Sequence, residues 1–204
     1  MPRLVLGTRN EKKRRELELL LDLPELELET LASYPHAPEV EETGTTFLEN
    51  ATLKGVQLAR SLDRWVLGED SGLCVDALDG APGIYSARYA GPHGLDEQNN
   101  DRLLADLENV PDSDRQAHYV CVSVIVSPAG SVVATAQGIC RGFITRQRQG
   151  KGGFGYDPLF LWPAEQKTFG ELPADYKHRV SHRAEAARQL RPKILRLLQS
   201  GIWR

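Results

Sequence analysis

The sequence predicts an α/β fold, on three observations. Apolar strand-like runs alternate with helix-period segments through the first hundred residues. Two long apolar runs, 117–127 and 131–141, are joined by Ser127-Pro128-Ala129-Gly130 and read as an antiparallel hairpin in the centre of a mixed sheet. A closing segment, 181–199, carries Ala186, Ala187, Leu190, Ile194, Leu197 and Leu198 at helical spacing. A chain of 204 residues is long enough for one ample core or two closely joined lobes. No repeat, low-complexity tract or linker divides it, so 1–204 reads as a single domain that the long hairpin makes bilobal in appearance.

The first strand, 3–7, runs into the polar turn Thr8-Arg9-Asn10-Glu11-Lys12-Lys13. A helix over 10–22 follows, with Leu17, Leu20 and Leu21 at i, i+3 and i+4. Free N–H groups and the positive dipole end at such a junction suit a phosphate, although most α/β chains contain several such junctions. Leu26 and Leu28 mark a second strand by alternation, and 32–44, with Pro35, Pro38 and Gly44, form an acidic loop. A helix over 46–61 opens with Glu49 where a capping box from Thr46 requires it. Trp65-Val66-Leu67 and Leu73-Cys74-Val75 read as two short strands flanking Gly68-Glu69-Asp70-Ser71-Gly72. The turn Gly80-Ala81-Pro82-Gly83 comes next, and then a helix over 95–107. Residues 142–158 are glycine-rich, and Pro192 is expected to kink the last helix.

Composition narrows the function. Net charge is −3 with 26% charged and 41% hydrophobic residues, so no global basic field attracts a nucleic-acid polymer or an anionic membrane. No apolar run approaches the ~20 residues of a membrane span. Cys74, Cys121 and Cys140 stand apart in apolar runs, without metal or redox spacing, and read as small buried hydrophobes. The chain opens on a strand rather than a secretory signal pattern, and a reducing cytoplasm fits.

Several segments could carry chemistry. Carboxylates on loops and strand ends are how proteins hold Mg²⁺, and Glu41-Glu42 and Glu69-Asp70 are such pairs. The first also reads as a solvated loop. The second is harder to dismiss, because charges wedged between apolar strands need a positive partner. Lys54 lies about three turns beyond Glu42, as either a ligand or a solvated helix lysine. In Gly150-Lys151-Gly152-Gly153-Phe154-Gly155-Tyr156-Asp157-Pro158 the glycines allow close backbone approach, the aromatics offer stacking faces and Asp157 adds an acceptor. A plain turn with packed aromatics would look the same. Ser181-His182-Arg183 opens the last helix, but adjacent residues do not face each other and no nucleophile elbow is present, so a hydrolase triad is excluded.

Together these motifs resemble the inosine triphosphate/xanthosine triphosphate pyrophosphatases, the Ham1-like family acting on non-standard purine nucleotides, most closely its bacterial branch. The resemblance covers nearly the whole chain. It runs through Thr8-x-Asn10-x-x-Lys13, Glu42-Thr43-Gly44 with Phe47-x-Glu49-Asn50-Ala51, and Asp70-Ser71-Gly72-Leu73. It continues through 80–89, Gly153-Phe154-Gly155-Tyr156-Asp157-Pro158 and Ser181-His182-Arg183. It implies two lobes around a nucleotide cleft, a homodimer, and hydrolysis of ITP, dITP and XTP to monophosphate and pyrophosphate.

By the same resemblance Thr8, Arg9, Asn10, Glu11, Lys12 and Lys13 would bind the substrate, with Thr8, Asn10 and Lys13 gripping the triphosphate together with Lys54. Glu42 and Asp70 would hold Mg²⁺, with Asp70 also accepting the proton of the attacking water, and Ser71 would contact the nucleotide. Phe154, Gly155, Tyr156 and Asp157 would sandwich the purine, with Lys177, His182 and Arg183 completing the base pocket. Donors from His182 and Arg183 would pair with a 6-oxo group and be left unpaired by a 6-amino group. Two residues depart from the family pattern: Arg9 stands where a glycine is common and Glu69 where an aspartate is frequent. The rival readings are a pyrophosphatase for other modified nucleotides, or a nucleotide-sensing module without turnover.

Overall fold

The N-terminal apolar run becomes β1 (Arg3–Leu6), with Leu4, Val5 and Leu6 fully buried. The computed structural model describes residues 1–91 and 95–203. Helix α1 (Glu11–Leu20) follows, then β2 (Glu27–Thr30), α2 (Phe47–Leu62) and β3 (Val66–Val75). After α3 (Asp96–Asp106) come the long strands β4 (Gln116–Val126) and β5 (Val132–Ile144), then β6 (Phe160–Trp162) and β7 (Lys167–Thr168). Helices α4 (Ala174–Val180) and α5 (His182–Gln199) close the chain.

Among the described residues the strands form one seven-stranded sheet in the order β2-β1-β3-β4-β5-β6-β7. β1 pairs parallel with β2 and β3, while β5–β6 and β6–β7 are antiparallel, so the sheet is mixed as expected. β4 and β5 are neighbours joined by a short turn in which the Ser127 N–H donates to the Ser131 carbonyl at 2.9 Å. So short a connection permits only antiparallel strands.

The chain forms two compact units. The first comprises 1–70, 121–138 and the segment from Arg183 onward; the second comprises 71–120 and 139–182. The first has its own core of Leu4, Leu6, Leu17, Leu21, Leu67, Ile125, Leu190 and Ile194. Trp203 seals it, stacked on Trp65 with ring centroids 4.6 Å apart and its indole N–H donating to the Arg3 carbonyl. The second packs Leu73, Val75, Leu103, Leu107, Tyr119, Ile144, Phe160 and Phe169.

Helix α2 begins as the sequence predicts. Thr46 accepts from the Glu49 N–H while the Glu49 carboxylate reaches back to the Thr46 N–H, a complete capping box. The two short strands expected on either side of Glu69-Asp70 are one continuous strand, β3, and β6, β7 and α4 were not foreseen. β3 continues because cationic side chains meet both acidic residues, so neither charge has to leave the sheet for water.

Candidate active site

In the first unit, α2 lies so close to β3 that only glycine fits at the contact. A Cβ on Gly68 would sit 2.2 Å from the Ala51 carbonyl oxygen and 2.8 Å from the Gly55 nitrogen. This approach brings Lys54 against the strand. Its ammonium donates to Asp70 Oδ1 at 3.2 Å and to Glu42 Oε1 at 2.8 Å, joining the acidic loop, the helix and the strand. Burial alone would lower the Lys54 pKa, but the charges of Asp70 and Glu42 outweigh it and the net shift is upward. For Asp70 burial dominates, and its carboxyl is raised despite Lys54 and Lys13. Its second oxygen, Oδ2, is buried without a hydrogen-bond partner.

The preceding residue is held quite differently. Glu69 accepts from Arg183 at both oxygens, Nε to Oε2 at 2.8 Å and Nη2 to Oε1 at 2.9 Å. The remaining terminal nitrogen of Arg183, Nη1, bonds Glu16 of α1, and Lys13 Nζ lies 3.7 Å from Glu69 Oε1. Burial would raise the Glu69 pKa, yet the charge and hydrogen bonds of Arg183 hold it well below the ordinary carboxylate range. Arg183 is 1% exposed, and all three of its guanidinium nitrogens engage carboxylates. That placement differs from the expected donor role toward a base. Nothing in the local sequence announced Glu16 as a partner 167 residues away.

The N-terminal turn is also more occupied than the sequence suggested. Asn10 caps α1, its Oδ1 accepting from the Lys12 and Lys13 N–H groups at 3.0 and 3.1 Å, and Thr8 Oγ1 accepts from the Asn10 N–H. Three of the turn's backbone donors are therefore satisfied internally, which leaves side chains such as the half-buried Lys13 for an anion. Glu11 pairs with Arg14 at the surface, and Lys12 is exposed. Arg9 donates to the Ala37 carbonyl at 2.7 Å, fastening the turn to the loop that leads to Glu42. The far end of that loop is fastened too, where the Gly44 N–H donates to the buried Asn50 Oδ1 at 2.8 Å.

In the second unit the glycine-rich segment gathers the aromatic set. Lys177 and Asp157 form a buried ion pair at 2.6 Å, and Asp157 Oδ2 also accepts from the Phe154 N–H at 2.8 Å. Lys177 Nζ lies 4.4 Å from the centre of the Phe154 ring. His182 stacks on Tyr119 with ring centroids 4.6 Å apart, and Tyr119 packs on Phe160 and Phe169. Tyr156, expected to offer a stacking face, is 3% exposed and donates its hydroxyl to the Ser86 carbonyl at 2.8 Å. Phe154 and Gly155 keep partial exposure, and Ser71 is half-buried on β3. Asp96, Asn99, Asn100 and Tyr119 were not singled out from the sequence. Two adjacent asparagines in an otherwise leucine-patterned helix were the available signal, since buried amides are retained where they have backbone to hold.

Glu42 and Asp70 suit Mg²⁺, a hard ion that takes one or two carboxylates and completes its sphere with water and substrate phosphate. The buried, unpartnered Asp70 Oδ2 is the feature that fits such an ion, while both Glu69 oxygens are committed to Arg183. Among the described residues no group of three or more His, Cys, Asp or Glu is gathered as a self-sufficient metal cage, and Mg²⁺ does not need one. Lysines beside one uncommitted carboxylate oxygen are equipment for phosphate chemistry.

The chain matches the Ham1 family over residues 4–193 and belongs to it. It is 51% identical over 198 residues to the dITP/XTP pyrophosphatase of Rhodopirellula baltica, covering 97% of this chain and 95% of that one. The dITP/XTP pyrophosphatase of Listeria monocytogenes is 43% identical over 199 residues, covering 98% of each chain. The solved structure of a HAM1 protein from Coxiella burnetii superposes with a TM-score of 0.87 at 37% identity, covering 96% of this chain and all of that one. The chain therefore has the mixed α/β fold of Ham1 structures. No helix among the described residues is long and apolar enough to cross a membrane.

Proposed function

We propose that this chain hydrolyses deaminated purine nucleoside triphosphates, dITP, ITP and XTP, to the monophosphate and pyrophosphate, and so keeps such bases out of DNA and RNA. The reading rests on kinship with dITP/XTP pyrophosphatases and on one observation, Asp70 with a single buried oxygen uncommitted beside Lys54 and Glu42. Lys13 and Lys54, with Thr8 and Asn10, take the triphosphate. Asp70 orients the attacking water and accepts its proton. Glu42 and Asp70 hold Mg²⁺, which when bound neutralises charge on the phosphates. Lys54 meets the same developing negative charge with an ammonium that its acidic neighbours keep protonated.

Phe154 offers its half-exposed ring to the purine, with Lys177 and His182 at the base site. Arg183 serves by holding Glu69, and through it the strand position of Asp70. The chain acts as one catalytic unit, in the cytoplasm and as a homodimer. The deciding assay offers purified protein with Mg²⁺ a panel of dITP, XTP, dATP, dGTP and dUTP, resolving pyrophosphate from orthophosphate. Pyrophosphate from dITP and XTP in preference to the others is expected; orthophosphate, or equal use of every base, overturns the reading. Sedimentation of the same preparation tests the dimer.

A further inference from the structure

We propose that Asp96 and Asn100, on the first turns of α3, are positioning residues for the base site: they clamp Gly155 and thereby aim Phe154. The inference rests on the reading of Phe154 as the stacking face. The Gly155 N–H donates to Asp96 Oδ2 at 2.9 Å, and the Gly155 carbonyl accepts from Asn100 Nδ2 at 2.9 Å. Asn100 Nδ2 also donates to the Asp96 carbonyl at 2.7 Å, so two acceptors fix which way its amide faces. One residue earlier, the Phe154 N–H is held by Asp157 Oδ2, itself paired with Lys177.

Three consecutive peptide planes are therefore pinned by three side chains: 153–154 by Asp157, 154–155 by Asp96 and 155–156 by Asn100. Peptide planes are rigid, so fixing these three fixes the dihedrals of both Phe154 and Gly155 and with them the direction of the Phe154 Cα–Cβ bond. Gly155 has φ +61°, and a Cβ built there meets nothing within 4 Å. Glycine is thus required by the backbone angle the clamp imposes and not by crowding. Asn100 is 2% exposed, whereas Asp96 is exposed and replaceable without disturbing the core. Neither side chain is placed among the phosphate-handling residues, so both act on base binding through the loop.

The test compares Asp96→Ala, Asp96→Asn and Asn100→Ala with the parent chain. Two readouts are used: the KM-against-kcat split on dITP, and hydrogen exchange of the Phe154 and Gly155 amides in nucleotide-free protein. Loss of a charge-assisted bond to backbone should raise KM for dITP roughly tenfold in Asp96→Ala, with kcat at saturation within about twofold of the parent. Exchange at 154–155 should quicken while the α3 and β4 amides stay protected. Asp96→Asn keeps an acceptor oxygen and should recover most of the KM. Asn100→Ala should quicken the same amides. Unchanged KM and unchanged exchange in Asp96→Ala overturn the proposal, as does exchange that quickens across the whole second unit. If the parent chain turns over no dITP or XTP, the functional reading fails by itself, and the exchange at 154–155 still decides whether the clamp exists.

Discussion

Asp70 in the first unit and Asp157 in the second are both buried aspartates beside a lysine, yet their surroundings leave them in different states. Asp157 Oδ2 is held by the Lys177 ammonium and the Phe154 N–H, so that carboxylate is a structural pivot for a loop. Asp70 shares Lys54 with Glu42, keeps Oδ2 without a partner, and has its pKa raised by burial. Among the described residues Asp70 Oδ2 is the carboxylate oxygen left buried without a partner, an arrangement that costs stability. Glu69 sharpens the contrast. It adjoins Asp70 in sequence, is equally buried, and is fully committed to Arg183. Burial is thus common to both acids, and what separates them is the completeness of their partners.

The largest way to break this comparison is to uncommit Glu69. Arg183→Met should cost about 3–5 kcal/mol of stability by stranding buried carboxylates, read as a fall in Tm. The deficit should narrow toward acid pH. Glu69 has a folded pKa below its unfolded value of 4.5, so its stabilisation is full above that pH and is lost as pH falls toward the folded value. In the variant, protonation relieves the stranded charge instead. Parent and variant melting curves at pH 7 and pH 4 test this.

Asp70→Asn is next. It keeps the shape and the Lys54 contact but removes the proton acceptor, and kcat should drop at least ~100-fold with Tm little changed. Near-parental turnover would remove Asp70 from the mechanism. Phe154→Ala should raise KM for dITP about tenfold, at the level expected for one base–aromatic stack, and leave kcat at saturation nearly intact. The smallest expected effect is that of Arg9→Gly. It frees the Ala37 end of the loop carrying Glu42 and should raise the Mg²⁺ concentration needed for half-maximal rate by a few-fold, in line with one lost hydrogen bond. A raised KM for nucleotide at saturating Mg²⁺ would instead make Arg9 a phosphate contact.

Much of the fold could be read locally. The Thr46–Glu49 capping box and the leucine stripe of α1 are short-range patterns, and each lies where the sequence places it. The motif residues Asp70, Glu42 and Lys54 were recognisable as well, and they meet around one ammonium. Less could be read of the residues whose partners lie far along the chain. Arg183 looked like a base reader because it stands beside His182, but its guanidinium engages Glu69 and Glu16 in the first unit while the His182 ring stacks on Tyr119 in the second. Tyr156 looked like a stacking face and is a core residue anchored to Ser86. β3 looked like two strands because the charges that cross it are neutralised by residues 16 and 114 positions away.

The sequence by itself determined the α/β class, most of the helices, the family, and the acids and lysines available for chemistry. These follow from periodicity, capping and motifs, all of which act over a few residues. Only the tertiary structure decided which acid keeps an oxygen uncommitted, where Arg183 spends its donors, and that Asp96 and Asn100 reach Gly155. Those outcomes depend on which charges and amides meet across the sheet and its helices, and pairing of that kind is written in no local pattern.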